Sequence, residues 1–163
     1  MLVLPGQAAN TEIRGEEIGT PDLALYYSPS ELYHMANKFG ELGRTDYIKA
    51  RFTFDLIWPL VYTFTLVTTI SWLLSRAVTL TSKWRHANLL PFIVLILDYL
   101  ENISTSLVMF RYPARADLIA SLAPFFTFFK WVTLVISFIM LLVAIILWIF
   151  TRYRYKKNLG KTG

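Results

Sequence analysis

Three long runs of apolar residues dominate the chain, and each is long enough to cross a bilayer as a helix. The runs cover residues 52–74, 89–110 and 131–150. As an α-helix, the second run would span about 33 Å, against a hydrocarbon core of about 30 Å. The pattern therefore predicts an all-α, polytopic membrane protein with about three transmembrane helices.

A shorter apolar pattern precedes the first run and predicts an amphipathic helix. Ser28 can cap this helix, with Pro29 at its first position and Glu31 at its third, which makes a capping box. Apolar residues then recur at helical spacing up to Gly40, a natural stop, and a new helix is expected to begin near Thr45. The apolar residues of this first helix are Leu32, Met35, Ala36 and Phe39.

The hydrophobic pattern divides the chain into three regions. Residues 1–27 are expected to form an irregular polar lead. Residues 28–50 are the amphipathic helical region, which would lie on the membrane surface or cap the bundle on its outer side. Residues 51–163 would contain the transmembrane bundle and a basic C-terminal tail.

A short apolar segment lies directly before the third run. Residues 118–129 are too few to span a bilayer, and Lys130 separates them from residues 131–150. We expect this segment to be a helical extension, an interfacial helix or a re-entrant piece. Pro124 should bend or break it, because proline lacks the amide donor and clashes with the preceding turn.

Charged residues at the ends of the runs predict the orientation. The loop after the first run and the tail after the third together carry eight Lys or Arg residues and no acid. With three spans both segments lie on one side, and the opposite side carries seven Lys or Arg residues and eight acids. By the positive-inside rule the acid-free side is the cytoplasm, so the C-terminus should be cytoplasmic and the N-terminal region outside.

This orientation requires about 50 N-terminal residues to cross the membrane, although MLVLPGQAAN is too short an apolar stretch for a signal peptide. Two explanations are open. Either the N-terminal region crosses unaided, or the native protein begins upstream with another hydrophobic segment.

The composition limits the kinds of protein and of functional site that we expect. The apolar fraction of 55% is too high for an ordinary soluble domain. The net charge of +5 comes from basic residues at the ends of apolar runs, which is typical of membrane anchoring rather than of nucleic-acid binding. The sequence has no cysteine, only two histidines and no catalytic or nucleotide-binding fingerprint, so we expect neither a metal site nor an enzyme. It indicates no particular cofactor.

A few polar residues within or beside the apolar runs form the best candidate site. Asp98, Glu101 and Asn102 lie near the middle of the second run, where an ionised carboxylate costs about 2.5–3.5 kcal/mol. Asp55 lies in the first run, and Lys130 directly precedes the third. Residues this costly are kept where they are paired, protonated or line a polar space. We therefore expect these five residues to form an intramembrane polar cluster.

Helical geometry places the polar residues of each helix on one stripe. The stripes are Asp98, Glu101, Asn102 and Thr105 in the second run, Asp55, Pro59, Tyr62, Thr65 and Thr69 in the first, and Thr127, Lys130, Thr133 and Ser137 in the third region. In the second run the stripe covers an arc of about 100°. Because lipid cannot satisfy such groups, the stripes should face the interior of the bundle.

Depth in the bundle then predicts the partner of Lys130. The first and third helices would both begin at the outer side, which puts Lys130 level with Asp55. The second helix runs the opposite way and brings Glu101 nearer to that level than Asp98. We expect Lys130 to pair with Glu101 or Asp55. Such a cluster could fix the register of the helices, bind a ligand, lipid headgroup or ion, or form part of a proton pathway.

Five short motifs give the chain a resemblance to other sequences. They are YSPSELY, GELGRTDYI, FTFDLIWPLVY, LPFIVLILDYLEN and FTFFKW. Their order and spacing, over roughly residues 20–135, resemble a group of uncharacterised small multi-pass bacterial membrane proteins. The resemblance implies a further hydrophobic segment before the equivalent of Pro21 and Asp22. Its pattern includes all five residues of the polar cluster, and it brings no known activity.

The sequence favours a non-enzymatic integral membrane protein, an accessory or structural subunit of a larger assembly in a bacterial inner membrane. Three short spans leave surface for partner helices, and the small residues 104–106 would allow close helix approach. The expected partners are membrane lipids and other membrane protein chains, not nucleic acid. The alternative is a membrane protein that handles a small ligand, a lipid or protons through the polar cluster. A third option is a membrane enzyme that acts on lipid.

Labelling of single cysteines tests the predicted orientation. The chain has no cysteine, so Ser30→Cys and Asn158→Cys each introduce one thiol. We expect an impermeant maleimide to label Ser30→Cys from outside and Asn158→Cys only after the membrane is opened, because the basic tail should be cytoplasmic. Labelling of both thiols from one side would contradict the three-span arrangement.

Overall fold

The computed structural model describes residues 20–21, 24–79 and 81–159, and over these ranges the chain is helical with no strand. The helices are α1 (Pro29–Arg51), α2 (Phe54–Ala77), a 3-10 helix (Lys83–Leu89), α3 (Leu90–Arg111) and α4 (Asp117–Leu159). Most of the polar lead expected over residues 1–27 lies outside the described residues, as does the end of the basic tail.

Three helical segments are long and apolar enough to cross a membrane. They lie within Pro29–Ala77, Lys83–Arg111 and Asp117–Lys157. The all-α fold with three candidate spans is therefore confirmed. The second span is predicted to within one residue at each end, because residues 89–110 form a single uninterrupted apolar run.

Helix α4 is longer than a bilayer is thick. Its 43 residues continue through Pro124 without interruption, so the expected break does not occur, and residues 118–129 are a helical extension. At about 1.5 Å per residue the helix measures about 65 Å, roughly twice the hydrocarbon core. Proline removes one backbone donor from the helix, and buried neighbours at Ala123 and Thr127 hold the turn around it in place. One or both ends of α4 therefore extend beyond the hydrocarbon core.

Helix α1 begins with the capping box that the sequence predicts. Ser28 Oγ accepts a hydrogen bond from the Glu31 backbone N–H at 3.2 Å, and the Ser28 N–H donates to Glu31 Oε2 at 2.6 Å. The predicted stop is only partly right, because Gly40 adopts a φ of 64° and kinks the helix, which then resumes at once. Glycine tolerates this left-handed conformation because it lacks a Cβ atom. The helix consequently reaches Arg51 with no separate start near Thr45.

Apolar side chains pack at both ends of the bundle, around a central α3 that contacts the other three α-helices. The α1-end cluster contains Tyr27, Leu32, Ala36, Phe39, Tyr47, Val108, Met109, Ala120 and Ala123. The basic-end cluster contains Ile70, Leu73, Leu74 and Ala144. In the sequence of α4, Thr127 and Lys130 lie between the members of these two clusters. A polar layer therefore separates two apolar layers.

The inward face of α2 differs from the predicted polar stripe. Thr65 and Thr69 are exposed, and the buried residues are Pro59, Thr63, Leu66, Ile70, Leu73 and Leu74. The Thr65 hydroxyl donates to the Val61 carbonyl of its own helix at 2.8 Å. A threonine that bonds back to its own helix leaves no unsatisfied hydroxyl, so it does not need to face the interior.

Candidate functional site

Lys130 joins α4 to α3 through two carboxylates in the interior of the bundle. Its ammonium forms an ion pair with Glu101 and lies 3.3 Å from Asp98 Oδ1. The Lys130, Asp98 and Glu101 side chains are 9%, 13% and 0% exposed. The two acids are three residues apart on α3, which puts both on one helix face within reach of a single long side chain.

Hydroxyl groups surround the Glu101 carboxylate. The Thr127 hydroxyl, one helical turn before Lys130 on α4, donates to Glu101 Oε1 at 2.8 Å. The Tyr27 hydroxyl, which precedes α1, lies 3.3 Å from Thr127 Oγ1. Glu101 therefore meets an ammonium at Oε2 and a hydroxyl at Oε1, which is what a fully buried carboxylate needs in order to remain stable.

A second contact ties α1 to the same face of α3. The buried Tyr47 hydroxyl donates to Thr105 Oγ1 at 3.2 Å, and the Thr105 hydroxyl donates to the Glu101 backbone carbonyl at 2.9 Å. Asn102 Nδ2 donates to Asp98 Oδ2 at 3.3 Å. Polar groups from α1, α3 and α4 therefore converge in one layer, which holds the three helices in a fixed register.

Asp55 pairs with a different cation. It forms an ion pair with Arg51, one turn earlier, and the Arg51 guanidinium lies over the Tyr47 ring at 4.5 Å. Both residues belong to the junction between α1 and α2, since α1 ends at Arg51 and α2 begins at Phe54. The pair therefore fixes the junction where the chain enters its first span.

The structure brings together most of the residues that the sequence indicates. Lys130 contacts Glu101, as helix geometry predicts, and Asn102 joins through Asp98. Lys130 also contacts Asp98, which the predicted depths place farther away than Glu101, because the long lysine side chain reaches both acids. Asp55, the other partner expected for Lys130, forms an ion pair with Arg51.

Sequence reasoning missed two tyrosines. Tyr47 was overlooked because the helix was expected to stop at Gly40, although the buried positions continue through Gly43 to Tyr47 at a spacing of four. That spacing indicates that the same buried helix face continues to Tyr47. Tyr27 lies in a non-helical segment, and no periodic pattern connects it to Thr127, which is 100 residues away in the sequence.

The side chains at this site can stabilise charge and exchange protons. Two carboxyl groups and one ammonium share an enclosed layer, and the neighbouring groups are hydroxyls and an amide. Across residues 20–21, 24–79 and 81–159, no three His, Cys, Asp or Glu side chains are grouped so that they could hold a metal ion. The arrangement can hold helices together, and it can take up a proton where two carboxylates share one cation.

Comparison with known proteins gives no assignment. No family model matches the chain, and neither a curated protein nor a solved structure matches it. The resemblance based on the sequence motifs therefore stays a prediction.

Double substitutions test whether the ion pair stabilises the bundle. Lys130→Met should lower the free energy of unfolding by about 3–5 kcal/mol, because it leaves buried carboxylates uncompensated. Adding Glu101→Gln should recover much of that loss, and adding Asp98→Asn should recover less, since Asp98 is the more exposed acid. Unfolding is followed by circular dichroism in detergent.

Lys49→Met is the matched control for this series. Lys49 also forms an ion pair with an acid, Asp46 at 3.8 Å, but its side chain is 60% exposed. Exposed ion pairs contribute about 0–1 kcal/mol to the free energy of unfolding, so this variant should be nearly as stable as the wild type. Equal losses from the two lysine substitutions, or purely additive losses in the double variants, would exclude direct pairing in the interior.

Proposed function

We propose that the chain is a non-enzymatic integral membrane protein that acts as an accessory or structural subunit of a larger membrane assembly. The observation that supports this most is the enclosure of Lys130, Glu101 and Asp98. Lys130 of α4 forms ion pairs with both Glu101 and Asp98 of α3. Groups used in this way stabilise the arrangement of helices, and an enzyme would instead need reactive groups that a substrate can reach.

The apolar outer surface of α4 is a second support for the subunit role. Only 11% of its most hydrophobic 18-residue stretch is buried by the rest of the chain. Exposed side chains on this stretch include Val135, Phe138, Ile139 and Leu142. Lipid or the helices of a partner protein would cover such a surface, since both are apolar.

The small residues of α3 do not support contact with a helix of a partner protein. Ser104, Thr105 and Ser106 are buried within the chain itself, where α3 packs against its neighbours. Close helix approach at these positions is therefore already used inside the bundle. Of the three candidate spans, the one in α4 is the least buried by the rest of the chain, so α4 is the surface on which we expect a second membrane protein to bind.

A second candidate function is proton or ligand handling at the same cluster. The observation that favours it is the position of two carboxyl groups at the same intramembrane ammonium. Neighbouring carboxyl groups of this kind can exchange a proton, and intramembrane acids are the usual groups in proton relays. For either function we propose a bacterial inner membrane, with the basic C-terminal end in the cytoplasm, as the charge distribution favours.

Site-specific photocrosslinking in native membranes tests the subunit role. A photoreactive residue is placed at Val135, which is exposed on α4, and at Ala144, which is fully buried on the same helix. We expect the outward position to give a protein adduct of one discrete higher mass. The inward position should give crosslinks within the chain only.

The subunit proposal fails if Val135 reacts with lipid alone and the chain migrates as a single polypeptide after gentle extraction. The proton-handling function then predicts a pH-dependent flux into vesicles that contain the purified chain. Glu101→Gln should abolish that flux, and exposed Glu41→Gln, the matched control, should leave it unchanged.

A further inference from the structure

An open cleft lies between α2 and α4 at the basic end of the bundle, away from the polar cluster. It has a volume of about 450 Å³. Six residues line it: Trp72 and Arg76 from α2, and Trp148, Thr151, Arg152 and Tyr155 from α4. None of these six side chains is acidic. Three are aromatic, two carry a guanidinium group and one is a threonine with a hydroxyl group.

The two helices contribute the same pair of residues in the same spacing. Arg76 follows Trp72 by four positions, and Arg152 follows Trp148 by four positions. Residues four apart lie on one helix face, so each arginine can fold back over its own tryptophan. The Arg76 guanidinium lies 4.1 Å from the centre of the Trp72 ring, and that of Arg152 lies 5.9 Å from the Trp148 ring.

The two tryptophans bring the two arginines to one place. The Trp72 and Trp148 rings contact each other with centroids 5.8 Å apart at an angle of 44°. The Arg76 Nη1 also donates to the Trp72 carbonyl at 3.4 Å. Both guanidiniums are therefore held at a single cleft by rigid aromatic groups, so an anion that binds there finds two positive charges already in position.

The location of the cleft indicates a headgroup at the membrane boundary. No charged residue occurs from 56 to 75 in α2 or from 131 to 151 in α4, so Arg76 and Arg152 are the first charges after two apolar spans. Tryptophan is typical of the boundary between hydrocarbon and water, and arginine binds phosphate through paired N–H donors. An acyl chain could continue from the cleft along the apolar surface of the same helices.

We propose that this cleft binds the phosphate of an anionic phospholipid headgroup, with Arg76 and Arg152 as its ligands. Thr151 and Tyr155 supply hydroxyl groups at its rim, and the two tryptophans separate the phosphate from the hydrocarbon. This binding site does not depend on the proposed subunit role. It would tie the basic end of α2 to the basic end of α4 through a lipid.

Lipid titration of the purified full chain tests the proposal. The chain in detergent micelles is titrated with short-chain phosphatidylglycerol and, separately, with short-chain phosphatidylcholine, and bound lipid is counted by native mass spectrometry. We expect phosphatidylglycerol to bind more tightly than phosphatidylcholine. Arg76→Gln combined with Arg152→Gln should weaken phosphatidylglycerol binding about tenfold or more, since each basic residue contributes to the attraction.

Arg154→Gln combined with Lys157→Gln is the matched control. These residues lie at the same end of α4 and carry the same total charge, but they do not line the cleft. This control should bind phosphatidylglycerol as the wild type does. An equal loss in the two double variants would mean general attraction to basic residues and would overturn the cleft assignment, as would equal binding by all three proteins.

Free phosphate is distinguished from lipid in the same micelles. Inorganic phosphate and glycerol phosphate are added in place of lipid, and thermal stability is recorded. If they stabilise the wild type but not the Arg76 and Arg152 double variant, while phosphatidylglycerol has no such effect, the ligand is a soluble phosphate and the lipid assignment is wrong.

If the double variant does not fold, the single substitutions Arg76→Gln and Arg152→Gln are tested instead. Each should weaken lipid binding several-fold, and unchanged binding in both would overturn the proposal.

Discussion

The pairing of Lys130 with Glu101 and Asp98 is the interaction on which the rest of the bundle depends. Isolated charges in a bilayer are expensive, and three of them are present here within two helices. Their cost is offset only if α3 and α4 place the ammonium between the carboxylates. That requirement fixes the rotation and the relative height of these two helices, and neither could slide by one turn without leaving a buried carboxylate unpaired.

The other helices are arranged around this layer. Helix α1 contributes Tyr47, whose hydroxyl donates to Thr105 Oγ1. The segment before α1 contributes Tyr27, whose hydroxyl lies beside Thr127 Oγ1, so the polar layer extends to the N-terminal part of the chain. Apolar clusters lie on both sides of the layer. The kink at Gly40 lets α1 bury both Phe39 and Tyr47 against the bundle. A charged layer between two apolar ones therefore specifies one arrangement of helices, where apolar packing alone would allow several.

The sequence predicts the spans and the cluster because each depends on a local pattern. The span of α3 follows from one unbroken apolar run, and the capping box follows from residues three apart at Ser28 and Glu31. The Lys130–Glu101 pair follows from helical periodicity together with the alternating direction of the spans. Features that depend on tertiary packing were missed. The inward face of α2 is mainly aliphatic, while the Thr65 hydroxyl is satisfied by its own helix, and α4 continues through Pro124 between the buried residues Ala123 and Thr127.

Lys130 is buried between α3 and α4 in direct contact with Glu101. Solid-state NMR of the chain in lipid bilayers tests it most directly, with ¹⁵N-labelled lysine and ¹³C-labelled glutamate carboxyl groups. A Glu101→Gln sample assigns the signal. We expect a strong dipolar coupling between the Lys130 ammonium and the Glu101 carboxyl group, as for a charge-assisted N···O contact of about 2.8 Å. A spectrum in which no lysine coupling disappears in the Glu101→Gln sample would contradict it.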